Sequence, residues 1–422
     1  MTRDQLRGLQ WQKLAFGLDR VFQANPFYRE KLRRAGLDRA SIQRLEDLER
    51  LPLTTKDELL DEQAAHPPYG SILTEPLERY TRLHQTSGTS GRRLRWLDTP
   101  ESWNWIQACW KFIYHAIGVT ARDRLFFAFS FGPFLGFWAA FEGALRHGCF
   151  ALAGGGLTTR ARLELLIENE TTIVLCTPSY ALRMAQAAVE HGIDLAAGRV
   201  RALILAGEPG ANVPSIRQQL ESAWNARVFD HWGMTEIGSL GIEFADLPGK
   251  LFLIESQAVF EFIDPKTGRF ASEGEPAELV VSNLGRWACP LLRYRTGDLV
   301  RHRRDVHPPG LPFVYCDHGI LGRTDDMLLI KGANVYPSAV EGILRGFAQI
   351  AEYQIEAVDR GGVTTVEIQI EPILSAAGDP MLATAVVKAV QDRLYFRPTV
   401  RMVDPGSLPR YEMKARRFRR RQ

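Results

Sequence analysis

The run Gln85-Thr86-Ser87-Gly88-Thr89-Ser90-Gly91 alternates hydroxyl side chains with glycines and is followed at once by Arg92, Arg93 and Arg95. Glycines let a backbone bend sharply and turn consecutive N–H groups toward one point, which makes a concavity suited to an anion. Hydroxyls add donors, and guanidinium groups add fixed positive charge in a planar fork that matches phosphate. The same residues read equally as a flexible Gly/Ser/Thr connection. The stretch is not a Walker A loop, because Gly-x-x-x-x-Gly-Lys-Ser/Thr does not occur in the chain. A phosphate-binding role therefore needs support from other segments.

Any such loop must be held by a sizeable framework, and 422 residues with 45% hydrophobic and 24% charged composition supply one. That length predicts more than one domain. From a net charge of only +3 no general polyanion-binding role follows for the chain as a whole, although arginines gather at the C-terminal end. Cys109, Cys149, Cys176, Cys289 and Cys316 form no C-x-x-C pair and are odd in number, so neither a zinc ribbon nor a disulfide framework is expected. A reducing, cytoplasmic setting fits best. Residues 1–20 lack the apolar core of a signal peptide. The most apolar run, 125–141, carries no charge but is broken by glycines and Pro133, and is shorter than the roughly 20 residues of a spanning helix. A buried strand followed by a buried helix is expected there, with no membrane association.

Taken in order, residues 1–60 read as helical, with Leu6, Leu9, Leu14, Leu18 and Phe22 at about helical spacing until Asn25-Pro26. A Trp-rich helix is expected over 101–117. From residue 120 short apolar strands alternate with helices: strands at 125–129, 149–153, 172–176, 202–206 and near 228–229, helices at 180–190 and 214–224. This alternation predicts a parallel sheet covered on both faces, and in such sheets ligands bind beyond the carboxyl ends of strands. Two segments there are read as loops: Ala206-Gly207-Glu208-Pro209-Gly210, and Asp230-His231-Trp232-Gly233-Met234-Thr235-Glu236. Residues 251–321 read as antiparallel, with turns at 264–268 and at Gly297-Asp298. Beyond about residue 323, two helices among about four strands predict a small α+β unit, ending in a basic tail.

Segments in a fixed order carry a resemblance: the 85–91 loop, Gly207-Glu208-Pro209, Trp232-Gly233-Met234-Thr235-Glu236, Tyr294-Arg295-Thr296-Gly297-Asp298, GRTDDMLLIKGANVYPSAVE from Gly322, and Leu408-Pro409-Arg410 followed by Lys414. Together they resemble the adenylate-forming superfamily of acyl-CoA synthetases and adenylation domains, and within it the phenylacetate-CoA ligase-like group. The resemblance covers roughly residues 20–420. It implies an α/β fold: a large N-terminal domain (1–323) of mostly parallel βα-layered sheets plus a β-rich subdomain, and a small mobile α+β C-terminal lid (324–422). It also implies a reaction in two halves. A carboxylate attacks the α-phosphate of ATP to give acyl-AMP and pyrophosphate, and a thiol then takes the acyl group. Both halves need charge stabilisation more than a nucleophilic side chain.

By the resemblance, Thr86, Ser87, Gly88, Thr89, Ser90 and Gly91 would hold the β- and γ-phosphates, although Arg92-Arg93 stands where the family commonly has lysine. Gly207, Glu208, Pro209, Asp230, His231, Trp232, Gly233 and Met234 would border the nucleotide, with Trp232 at the adenine where tyrosine is commoner. Thr235 and Glu236 would bind the α-phosphate and Mg²⁺, a hard cation that takes carboxylate oxygens. Asp298 would accept from both ribose hydroxyls, and Arg323 would contact ribose or phosphate. Asp325 would be the hinge, and Gly332 would border the tunnel of the thiol. Lys414 would neutralise charge between carboxylate and α-phosphate, though it also opens a basic run of the kind that is often solvated.

The acid pocket is expected along 129–136, with Phe131, Phe134 and Gly136 facing an aryl ring and Gly207 setting pocket size; the two phenylalanines also suit plain packing. The expected substrate is an aromatic acid. Coenzyme A is the implied acceptor; a carrier protein's phosphopantetheine is the alternative, and the run 416–421 would suit a 3′-phosphate or an acidic carrier. An amine acceptor stays open. Residues 237–256 contain neither Cys nor His, so no structural zinc is expected. A nucleotide-binding module without catalysis is the competing class, opposed by the joint presence of Thr235, Glu236, Asp298, Arg323 and Lys414. Nucleic-acid binding is not expected, since the basic run has little aromatic interleaving. The chain is expected to be a monomer or homodimer.

Overall fold

The computed structural model describes residues 1–86, 92–324, 328–330, 333–360, 363–411 and 417–421. Ser87, Gly88, Thr89, Ser90, Gly91, Asp325, Gly332 and Lys414 lie outside the described residues.

One long mixed sheet carries the N-terminal body. Its parallel half runs, in spatial order, Phe150–Ala153, Arg124–Phe127, Ile173–Cys176, Ala202–Leu205 and the first part of Arg227–Met234. Short runs such as Ile173–Cys176 and Ala202–Leu205 are buried throughout, as expected for strands covered on both faces. The helices between them start where their sequences say they should. Thr177 caps Pro178–Glu190 by accepting from the Tyr180 amide, and Pro178 occupies the first turn, where a missing N–H costs nothing. Thr99 and Pro100 do the same for Pro100–Ala116.

The second loop read from the sequence is corrected here. Residues 230–234 belong to a strand, Arg227–Met234, that serves both halves of the sheet. Its first residues pair parallel with Ala202–Leu205, and His231 to Met234 pair antiparallel with Gly238–Phe244. A register shift falls between Trp232 and Gly233, where a Cβ on Gly233 would meet the Gly238 carbonyl at 2.6 Å. Gly233 hid the strand, because the close approach at this bulge admits no Cβ and the shifted register breaks strict alternation. The sheet then continues antiparallel through Leu247–Leu253, Tyr315–Asp317, Tyr294–Arg303, Pro276–Asn283 and Ala258–Ile263.

The C-terminal unit has its own core, built on Ile355, Ile368, Ile370, Val386 and Val390. Its sheet runs Thr399–Met402, Val363–Pro372, Ile350–Arg360 and Phe418–Arg421 in spatial order, with Pro337–Leu344 and Pro380–Leu394 as its helices. The last strand is a second correction. Residues 418–421, read as part of a basic tail with no strand in it, pair parallel with Ile355 to Val358. An edge strand tolerates arginines on its open side, so composition masks the pairing. Among the described residues no helix is long and apolar enough to cross a membrane.

Two imidazoles in the body give the fold an acid limit. His302 lies flat on Phe262 at 3.9 Å, and its Nδ1 has no hydrogen-bond partner among the described residues. Burial, reinforced by Arg304, pushes it down to about 4. His231 is pushed down to about 4 by burial alone, against its bond to the Gly241 carbonyl. The unfolded chain, with imidazoles near 6.5, binds more protons than the folded one across this window. Stability is therefore retained above about pH 6.5 and lost as pH falls toward 4, by about 3 kcal/mol for each group fully charged. Urea unfolding at pH 7 and pH 4.5 should show this loss, and His302→Phe should shrink it while keeping the stacking. An unchanged pH difference in that variant would refute the assignment.

Candidate active site

Asp298 is the centre of the site. It sits on Tyr294–Arg303 just after Gly297, whose φ of +74° a Cβ-bearing residue would resist. The Trp232 indole N–H donates to Asp298 Oδ2 at 2.8 Å, and the Arg323 guanidinium donates to Oδ1 at 3.1 Å and to the Thr296 carbonyl at 3.2 Å. Arg323 reaches it because Gly322–Arg323 pairs antiparallel with Asp298 and Leu299. Three segments far apart in the chain thus meet at one carboxylate.

Glu236 lies beside this group, 2% exposed. Its Oε1 is 3.3 Å from the Tyr294 hydroxyl and 3.4 Å from the Lys56 ammonium. Burial and the nearby Glu236 carboxylate hold the Tyr294 phenol well above its ordinary value, so it serves as a neutral donor. A buried carboxylate opposed by a phenol and a half-exposed ammonium suits a hard cation, which would replace the lysine as counter-charge. Lys56 is a site residue that the sequence reading missed. It is placed by Thr54, which bridges to Tyr294: the Thr54 N–H donates to the Arg293 carbonyl and the Arg295 N–H to the Thr54 carbonyl, both at 2.9 Å. The helix Lys56–Ala65 then starts with a Thr55/Glu58 capping box, a local feature that does not determine what its first residue faces.

Behind Glu236 lies a second group that local sequence did not reveal. Arg286 and Asp98, both 0% exposed, form a two-pronged ion pair at 2.6 Å on each prong. The remaining Nη1 of Arg286 donates to the Thr235 carbonyl at 2.7 Å and to the Glu236 carbonyl at 3.0 Å. Burial would raise the Asp98 carboxyl, but Arg286 and His84 outweigh it and hold the group below the usual carboxylate range. Asp98 ends the strand Arg95–Asp98, which pairs with Arg82–Gln85 as the hairpin whose connection is the Gly/Ser/Thr loop. At the base of that connection Thr86 is buried and exchanges bonds with Leu94, its N–H donating to the Leu94 carbonyl and its Oγ1 accepting from the Leu94 N–H, each at 3.0 Å. One buried ion pair therefore ties the hairpin to the Thr235-Glu236 turn.

The other expected residues divide. Gly207, Glu208 and Pro209 do form a loop beyond Ala202–Leu205, with Gly207 at φ +93° and Glu208 accepting from the Ser179 amide at 2.8 Å. Asp230 is pushed up to about 7 by burial and by Glu243. The His231 ring does not join the Asp298 group; it packs on Trp110 at 4.8 Å. Phe131 and Phe134 are partly exposed members of an aromatic cluster: Phe131 meets Trp138 at 5.0 Å and Phe141 at 5.4 Å, and Phe134 meets Phe137 at 5.9 Å. Gly136 is exposed with open space where a Cβ would stand. The Gln85 N–H donates to the Pro133 carbonyl at 2.6 Å, which sets this cluster against the hairpin.

Comparison with known proteins places this geometry. Residues 332–421 match the AMP-binding enzyme C-terminal domain. A solved 2-hydroxyisobutyryl-CoA ligase in the postadenylation state, in complex with 2-HIB-AMP, superimposes with a TM-score of 0.94 at 28% identity, covering 100% of this chain and 91% of that one. The same ligase with 2-HIB-AMP and CoA in the thioesterification state gives 0.76 at 28% identity, covering 100% and 90%. The fold is that of the adenylate-forming ligases. A phenylacetate-coenzyme A ligase of Thermus thermophilus is 30% identical over 432 aligned positions, 98% of this chain and 95% of the relative. The chain belongs to the phenylacetate-CoA ligase-like group of the adenylate-forming superfamily, the AMP-forming acid–thiol ligases.

Proposed function

We propose that the protein activates an aromatic carboxylic acid with ATP and passes the acyl group to the thiol of coenzyme A. The observation that carries this reading is the convergence of Trp232, Asp298, Arg323 and Glu236 from separate segments on one site. Residues 1–323 would form the body and 324–422 the lid.

In the first half-reaction the acid's carboxylate oxygen bonds to the α-phosphorus while the bond to pyrophosphate breaks. Asp298 would orient the ribose through its carboxylate, itself fixed by the Trp232 indole and the Arg323 guanidinium. Thr235 and Glu236 would face the α-phosphate. Glu236 would hold a divalent cation, which would supply positive charge to the phosphate oxygens. Lys414 would offset charge between carboxylate and phosphate, and Gly88 and its neighbours would take the departing pyrophosphate. In the second half the thiol sulfur bonds to the carbonyl carbon, its proton passes to solvent, and AMP leaves.

The aromatic character of the acid is supported by the rings at Phe129, Phe131, Phe134 and Phe137, where Phe129 and Phe137 stack at 4.2 Å. The other rings of the cluster meet edge-on, Phe129 with Phe131 and Phe134 with Phe137, and such a set of faces and edges favours an aryl ring. Pyrophosphate release should be measured across benzoic, phenylacetic, hydroxybenzoic, aminobenzoic and 2-hydroxyisobutyric acids. Each acid is run without acceptor, with coenzyme A, and with a phosphopantetheinylated carrier protein. Turnover with an aryl acid and coenzyme A is expected. Turnover with the aliphatic acid alone overturns the aromatic assignment, turnover with carrier alone overturns the acceptor, and silence with every acid overturns the catalytic reading.

A further inference from the structure

The C-terminal unit touches the body through a polar contact that the reaction chemistry does not use. Ser179, second residue of Pro178–Glu190, presents its hydroxyl to two arginines of that unit: Arg417 donates at 2.7 Å and Arg345 at 3.4 Å. Among the described residues this hydroxyl has no other hydrogen-bond partner. The Ser179 amide meanwhile donates to Glu208, so the same residue is tied to the Gly207-Glu208-Pro209 loop. Arg417 is held hard from its own side. Its Nε and Nη2 fork onto Glu352 at 2.5 and 2.8 Å, its carbonyl accepts from the Ile355 amide at 2.7 Å, and its guanidinium lies over the rings of Tyr353 and Tyr411 at 5.2 and 5.5 Å. It is 7% exposed, with one remaining prong aimed at the body. A bidentate, stacked arginine has little rotamer freedom left, so the contact with Ser179 is specific in direction. The arrangement of the two units agrees more closely with the related ligase in its postadenylation state, at 0.94, than in its thioesterification state, at 0.76.

We propose that Arg417, supported by Arg345, latches the C-terminal unit onto Ser179 in the arrangement that serves adenylation, and so acts as a positioning residue for Lys414. The inference rests on the proposed role of that lysine. Arg417 follows Lys414 by three positions, so anchoring Arg417 beside the Glu208 loop limits where the lysine can reach. The latch contributes no charge to the reacting atoms. Its effect is on how often the lysine is in place, so its loss lowers the rate of one half-reaction and spares the other.

The test measures the half-reactions separately in the full chain: pyrophosphate release from ATP and acid without thiol, and thioester formation from preformed acyl-AMP with coenzyme A. Ser179→Ala removes one hydroxyl from the body and leaves the Arg417–Glu352 pair intact, so it guards against misfolding of the Arg417→Gln variant. Each single variant is expected to slow pyrophosphate release by about tenfold at unchanged KM for ATP, with thioester formation unaffected. The double variant should be no slower than the worse single one. Equal slowing of both half-reactions, or undiminished pyrophosphate release in Ser179→Ala, overturns the latch. Lys414→Ala run in parallel separates the layers. If it loses pyrophosphate release and Ser179→Ala does not, the latch alone falls; if it keeps pyrophosphate release, the lysine's role and the latch fall together.

Discussion

Lys414→Ala should lower pyrophosphate release by about 100- to 1,000-fold, the usual loss when one preorganised charge is removed from the place where charge develops. Thioester formation from preformed acyl-AMP should continue at near the unaltered rate. The reason is chemical: bringing a carboxylate against a phosphate puts like charges together, whereas attack of a thiol on an acyl-AMP carbonyl does not pass between two phosphate-borne charges. Lys414→Arg should recover little, because a broad planar fork cannot occupy the position of a compact ammonium. Rapid-quench measurement of both half-reactions decides the matter. Equal loss in the two would remove the assigned role.

A comparably large effect is expected from Arg286→Met, for a different reason. The substitution leaves Asp98 buried without its partner, and breaking a buried pair from one side costs about 3–5 kcal/mol. It also frees the Thr235 and Glu236 carbonyls, which Arg286 holds at 2.7 and 3.0 Å. Pairing it with Asp98→Leu should restore most of the lost stability, since two apolar side chains can replace a buried ion pair at little net cost. Activity should stay low in that double variant, because the Glu236 turn still lacks its clamp. Urea unfolding and pyrophosphate release together read out the two effects. Recovery of activity along with stability would show that Arg286 acts on the fold alone and not on the placement of Glu236.

Much of this framework was readable from the chain. The helices Pro178–Glu190, Pro100–Ala116 and Pro214–Trp224 lie close to the expected 180–190, 101–117 and 214–224. The short all-apolar runs around Leu125, Val174 and Leu203 announced a parallel sheet, because only strands buried on both faces dispense with alternation. Asp298, Trp232, Arg323 and Glu236 are all marked by the motifs in which they stand. The Gly233 bulge and the arginine-rich last strand were not, since each departs from the pattern by which strands are recognised.

What only the tertiary structure decided is which charges face which. Lys56 and Glu236, Arg286 and Asp98, and Arg417 and Ser179 are pairs whose members lie far apart along the chain. Nothing local distinguishes Arg286 from the exposed arginines elsewhere in the chain, because a side chain's neighbours within a few positions are the same whether it ends in water or in the core. Hydrophobic periodicity is a property of a segment and can be read from that segment. The pairing of a buried charge follows from the packing of several segments at once, and is settled only when water is excluded around it and a partner must be present.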